Sequence, residues 1–184
     1  MSLLKEKYNK EVIPQLKEKL GVDNILALPK ITKISLNIGL GRSQGDPKFN
    51  EIAQTTLEKI TGQKPSMRKA RLSISSFKVR EGSDVGMLVT LRGKRMNDFL
   101  DKFIHVTLPR VRDFRGLNIT SVDQDGNLTI GIKEHIVFPE IESEDIEKIH
   151  GLEVSITTSA TNREAGLALF QLLGFPFKKE EEKK

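Results

Sequence analysis

Ile31-Thr32-Lys33-Ile34-Ser35-Leu36-Asn37-Ile38-Gly39 alternates apolar with polar residues, the two-residue period of a strand buried on one side only. Ile34, Leu36 and Ile38 share one face, and Lys33, Ser35 and Asn37 share the other. The same period recurs downstream. Val85, Met87, Val89 and Leu91 alternate with outward Thr90 and Arg92. Leu128, Ile130 and Ile132 alternate with Thr129, Gly131 and Lys133, and Leu152, Val154 and Ile156 with Glu153, Ser155 and Thr157. Lys64 to Ala70 offers a further short strand.

Helical periods fill the intervals. Leu4, Tyr8, Val12, Ile13, Leu16 and Leu20 line one stripe, with Pro14 an expected kink and Gly21 a stop. A second helix runs from about Asp46-Pro47 to Thr61, with Phe49, Ile52, Ala53, Leu57 and Ile60 on its apolar face. A third carries Met96, Phe99, Leu100, Phe103 and Ile104 and must end or kink near Pro109. The last starts near Thr161-Asn162 and stops at Gly174. The order is helix, strand-helix-strand-strand-helix-strand, then one more strand and helix. This is an α+β chain with a mostly antiparallel sheet, helices on one face, and a ferredoxin-like split β-α-β core behind an N-terminal helix. One domain is expected over residues 1–177, followed by a charged, disordered tail at 178–184.

Such a sheet leaves its other face open. Lys33, Ser35, Asn37, Thr90, Arg92, Thr129, Lys133, Ser155 and Thr157 would line it, and hydroxyls, an amide and cations can hydrogen-bond phosphates and ribose hydroxyls. Thr and Ser also simply suit solvated strands, so the cations and Asn37 are what favour RNA. Charge agrees. Residues 1–61 carry +3, residues 62–115 carry +8 and residues 116–184 carry −6. A middle this basic is the footprint of a polyanion. Its densest part holds Lys64, Arg68, Lys69, Arg71, Lys78 and Arg80 without an intervening acid. The loop from Arg71 to Asp84 is therefore expected to be mobile or ordered by a partner, because it cannot pack on itself. A second group is Arg110, Arg112 and Arg115, and Arg suits bidentate phosphate contacts. One Tyr and no Trp disfavour stacking on single-stranded bases, which leaves structured RNA as the better match.

Catalytic patterns are missing. Gly39, Gly41 and Gly45 are spaced one residue too long for a dinucleotide turn, and the nearest acid at the expected offset, Glu58, falls inside a helix. There is no GxxxxGK, GxSxG or HExxH sequence. His105, His135 and His150 are far apart without metal-ligand spacing, and Glu140, Glu142, Glu144, Asp145 and Glu147 form a solvated acidic run. Without cysteine there is neither a disulfide nor a thiolate metal site, and no run is long enough for a signal peptide or a membrane span. The expectation is a cytoplasmic protein without cofactors, metal or catalysis. The alternatives are a free-standing RNA regulator or chaperone on the same sheet, and a nucleotide-dependent enzyme using the Gly39–Gly45 turn.

Several ordered segments carry a family likeness: 29–41 (PKITKISLNIGLG), 62–70 (GQKP…KA), 77–82 (FKVREG), 90–93 (TLRG), 108–116 (LPRVRDFRG), 131–141 (GIKEHIVFPEI) and 173–177 (LGFPF). From about Leu4 to Phe177 the chain resembles the bacterial ribosomal protein five family of the large subunit. That resemblance implies binding of 5S rRNA and its attachment to the central protuberance of the large subunit, beside other large-subunit rRNA and proteins. It makes Asn37, Gln63 and Thr90 rRNA contacts, joined by Lys33, Lys64, Arg92 and Lys133. The loop with Arg71, Ser75, Lys78 and Arg80 would face the peptidyl-site tRNA and meet small-subunit ribosomal protein thirteen in an intersubunit bridge. Arg68, Lys69, Arg110, Arg112 and Arg115 would be further RNA contacts.

Overall fold

A computed structural model of the chain describes residues 3–41, 46–77, 79–141 and 148–178. The strands are β1 (Ile31–Gly39), β2 (Ser66–Lys69), β3 (Asp84–Leu91), β4 (Leu128–Ile132) and β5 (Leu152–Thr158). They form a five-stranded antiparallel sheet in the order β2-β3-β1-β5-β4. The helices are α1 (Leu3–Lys7), α2 (Ile13–Leu20), α3 (Pro47–Thr61), α4 (Gly93–Lys102), α5 (Leu108–Arg110) and α6 (Arg163–Leu173). The α+β class and the order of elements are as read from the periodicities. The strand order is new: β5 runs between β1 and β4, so the split core is expanded from within instead of at its rim.

The inward parity holds strand by strand. Ile34, Leu36 and Ile38 are completely buried, as are Leu91, Leu128, Val154 and Ile156. Met87, Val89, Ile130, Ile132 and Leu152 are buried too, whereas Val85, at the start of β3, is only half-buried. Burying a Val, Leu or Ile side chain is worth about 1.5–3 kcal/mol each, so the alternation fixes the register strongly.

The chain folds into two compact units. One comprises residues 1–34, 92–130 and 155–184. Here both anticipated proline kinks become wide turns. Tyr8–Val12 and Phe103–Thr107 are π-helical, with Ile13 N–H donating to Tyr8 O and Leu108 N–H to Phe103 O, each five residues back. Pro14 and Pro109 follow immediately, in the first turn of α2 and of α5. A proline ring clashes with the carbonyl four residues earlier and has no N–H to offer it. Widening the preceding turn moves that carbonyl off the proline and lets the helical path continue. Leu16, Leu100, Phe103, Leu108 and Phe170 make the buried centre of this unit.

The same unit contains a backbone-to-backbone contact that no side chain could replace. A Cβ at Gly166, in α6, would stand 2.4 Å from Gly126 Cα. The turn carrying Gly126 is held from three sides. Asp123 Oδ1 accepts from Asn127 N–H at 2.7 Å, Asn127 Oδ1 accepts from Thr158 N–H at 3.0 Å, and Thr158 Oγ1 donates to Gly126 O at 2.9 Å. At the head of α6, Asn162 Oδ1 accepts from Ala165 N–H at 2.8 Å, the cap foreseen from sequence.

The other unit comprises residues 35–91 and 131–154. Its helix α3 starts at Asp46, whose carboxylate accepts from Lys48 N–H, and stops at Gly62 with φ 64°. Phe49, Ala53, Leu57 and Ile60 are buried. The expected charged tail beyond Lys178 lies outside the described residues.

Gly166→Ala must displace backbone, so a loss of about 1–3 kcal/mol in urea unfolding is expected. Gly39→Ala meets open space and leaves the midpoint unchanged within about 0.5 kcal/mol. Equal midpoints for the two variants would refute the close-contact argument.

Candidate nucleic-acid interface

In the unit of residues 35–91 and 131–154, the outward side of the sheet is built around a missing side chain. β2 pairs antiparallel with β3, and Arg68 stands opposite Gly86. Partners in a ladder share a face. A Cβ at Gly86 would meet Ile38 O at 3.1 Å and Asn37 Oδ1 at 3.5 Å, so Asn37 reaches over the same glycine from β1. Arg68, the buried Gly86 and the Asn37 amide thus share one face of the sheet. Asn37 is half-buried, and Thr90, farther along β3, is exposed, as is Lys133 just after β4. Gln63 follows the α3 stop. Its N–H donates to Thr61 Oγ1 at 3.2 Å, and the Thr61 hydroxyl itself donates to Leu57 O, which fixes the exit of the chain. Lys64 is exposed.

β2 is the outermost strand on its side of the sheet, four residues long and exposed throughout, with a bulge between Arg68 and Lys69. Beyond it the chain does not wander. Ala70 N–H donates to Ser83 O, Gly82 N–H to Ala70 O, and Ile74 and Val79 exchange both backbone bonds. Ser73 Oγ accepts from Glu81 N–H at 2.9 Å, and Ser83 Oγ accepts from Arg80 N–H at 3.1 Å. This corrects the expectation that the charged loop cannot pack on itself. Serines and backbone supply the internal bonds, so its long side chains are free to project. Arg71, Ser75 and Arg80 are exposed; Lys78 lies outside the described residues. The projecting set also contains Leu72, Ile74 and Phe77, apolar residues that a reading of the loop as a basic run overlooks.

In the unit of residues 1–34, 92–130 and 155–184, Lys33 is half-buried and Arg92 exposed, with an Arg92 Nη1 to Thr32 O distance of 3.5 Å. Thr129 Oγ1 and Ser155 Oγ lie 3.4 Å apart on the outward face. Arg110, Arg112 and Arg115 are all exposed. They sit where α5 ends, and the chain is then pinned: Leu117 N–H donates to Pro176 O at 2.7 Å, and Lys178 N–H to Leu117 O at 2.9 Å. Asp113, with φ 54°, makes the left-handed step between the second and third arginine.

The histidine reading needs correction. His105 is exposed, but His135 and His150, distant in sequence, stack with ring centroids 4.0 Å apart and planes 15° from parallel. Both are buried, and Phe49 meets His150 edge-on. His150 N–H donates to His135 Nδ1 at 3.3 Å, and His150 Nδ1 lies 3.0 Å from Lys148 O. Nearby, the Lys148 ammonium hydrogen-bonds Asp46 and holds its carboxyl below the usual value. No spacing rule reveals this pair, because strand order brings 135 to 150. Among the described residues, no group of three or more His, Cys, Asp or Glu side chains could hold a metal, and no helix is long and apolar enough to cross a membrane. Glu58 sits in the last turn of α3, where its carboxylate accepts from Gln54 Nε2 at 2.9 Å. Gly45 and residues 142–147 of the acidic run lie outside the described residues.

Two family models match the chain. Residues 84–177 match the C-terminal region of the ribosomal L5 family, and residues 24–80 match Ribosomal protein L5. Large ribosomal subunit protein uL5 of Halothermothrix orenii is 47% identical over 177 residues, which cover 96% of this chain and 99% of that protein.

The stacked imidazoles generate a pH dependence. Burial first, and for His135 also the neighbouring His150, keeps each below its ordinary value of 6.5. Below 6.5 the unfolded chain therefore binds protons that the folded chain refuses, and stability falls as pH falls. The melting temperature should stay flat above about pH 7 and decline progressively below 6.5. His150→Phe should show a shallower decline; an unchanged slope would mean that these rings do not carry it.

Proposed function

Since the chain belongs to the ribosomal protein L5 family, we propose that it is a structural constituent of the large ribosomal subunit that holds 5S rRNA in the central protuberance. It works in the cytoplasm as part of the ribosome, structural and not catalytic. The observation that carries the RNA assignment is the outward side of the strands around Gly86. Apolar residues are buried on one side, while Asn37, Arg68 and Thr90 stand on the other, with the side-chain-free, buried Gly86 between them. Amide, guanidinium and hydroxyl groups match the phosphate oxygens and 2′-hydroxyls of structured RNA, which is recognised chiefly by shape.

In this reading Gln63, Lys64 and Lys133 extend the 5S contact, as do Lys33 and Arg92. Arg110, Arg112 and Arg115 grip further rRNA phosphates. The self-bonded loop of residues 70–83 projects Arg71, Ser75 and Arg80 toward the peptidyl-site tRNA and toward small-subunit ribosomal protein thirteen. What supports two separate roles is the division of labour in the loop, whose backbone makes several internal bonds while Arg71 and Arg80 remain exposed.

A salt titration of purified protein with 5S rRNA tests the assignment. The affinity should exceed that for unrelated structured RNA of similar length, and log K should fall linearly with log salt. Asn37→Ala should weaken 5S binding by about 1 kcal/mol with the melting temperature nearly unchanged. Unfolding instead would make Asn37 a structural amide. Arg71→Ala with Arg80→Ala should spare 5S binding and weaken subunit joining, and a large loss of 5S affinity would reassign the loop.

A further inference from the structure

The loop of residues 70–83 displays apolar side chains that its own structure does not need. Leu72 is 73% exposed and Phe77 72% exposed, with Ile74 and Met67 exposed as well. Phe77 ends a single 3-10 turn, Ser75–Phe77, and its N–H donates to Ile74 O. The turn is closed from outside by the paired bonds between Ile74 and Val79. An aromatic ring is thus presented to solvent from a backbone already ordered, and docking on it costs little further ordering entropy. Arg71 and Arg80 lie in the same loop and are exposed, and Arg68 and Lys69 lie in the strand that leads into it, against Glu81 and Asp84, so the charge of this segment suits a polyanion.

We propose that Phe77, in the same loop as exposed Leu72, is a stacking platform for an unpaired base of a folded RNA, with Arg71 and Arg80 holding the adjoining phosphates. Every base has an apolar π-face, and a ring flanked by guanidinium groups can take one without reading its identity. The platform is separate from the outward side around Gly86, where amide and hydroxyl groups serve backbone and ribose. Few aromatics disfavour stacking as the general mode of binding, but aromatic poverty of the whole chain does not prevent one well-placed ring. The inference rests on the RNA-binding reading above and adds a base contact to it.

The test uses the full chain and two RNA probes: a stem-loop with unpaired loop bases, and a blunt duplex with the same number of phosphates. Phe77→Ala should weaken stem-loop binding roughly tenfold, the scale of one base–aromatic stack, and leave duplex binding unchanged. The slope of log K against log salt should stay the same, whereas Arg71→Ala with Arg80→Ala should lower it by about one for each phosphate no longer neutralised. The chain contains no tryptophan. Phe77→Trp should therefore keep the affinity and give a single tryptophan whose emission the stem-loop quenches and the duplex does not. The ring is largely exposed, so melting temperatures should agree among these proteins. Stem-loop binding by Phe77→Ala within twofold of the parent, or Trp emission unmoved while RNA is bound, overturns the platform and leaves the tip to a protein surface. Failure of the parent to bind either RNA at low salt overturns the RNA reading itself, and the platform with it.

Discussion

The burial of Ile34, Leu36 and Ile38 is the constraint on which the other features depend. β1 lies in the middle of the sheet, with β3 on one side and β5 on the other. A slip of one residue would place these three side chains in water and Lys33, Ser35 and Asn37 in the core. No such slip is tolerable, so the polar set is held outward by the apolar set. The proposed RNA face is thus a by-product of core packing. Its positions need no hydrogen bonds of their own to be kept in place.

Wherever burial follows a local period, the sequence was legible. Strand β1, the apolar stripe of α3, the Asn162 cap and the Gly174 stop all follow from residues within a few positions of one another. Three features were not legible. The place of β5 between β1 and β4 depends on long-range pairing, which alternation cannot specify. The His135–His150 stack follows from that order and shares its opacity. The ordering of residues 70–83 was hidden for a different reason. Charge density suggested a chain without internal contacts, but the bonds come from backbone and from Ser73 and Ser83, residue types that hydropathy treats as neutral. The same bias hid Phe77, one ring among many cations.

Gly86 was legible only as a member of an alternating strand. Its role emerges from two neighbours: Arg68, its ladder partner on β2, and Asn37, whose amide reaches over it from β1. The proline sites show the complementary case. Pro14 and Pro109 announce a disturbance, yet whether a helix breaks or widens depends on packing around it. Both widen here, and buried Val12 and Phe103 stay on their apolar stripes.

The outermost strand, β2, has a consequence for the protein before it reaches RNA. An unpaired strand edge is a template on which a second copy could add, and from there fibres could grow. Ser66-Met67-Arg68-Lys69 is short, bulged and doubly cationic, so two such edges repel and misalign. The positive charge proposed for rRNA therefore also guards the newly made chain against self-association. Neutralising that edge exposes the unassembled pool to aggregation even where the folded core is untouched. The two cations proposed as RNA contacts are thus the same two that blunt this edge, so a change to either touches both properties.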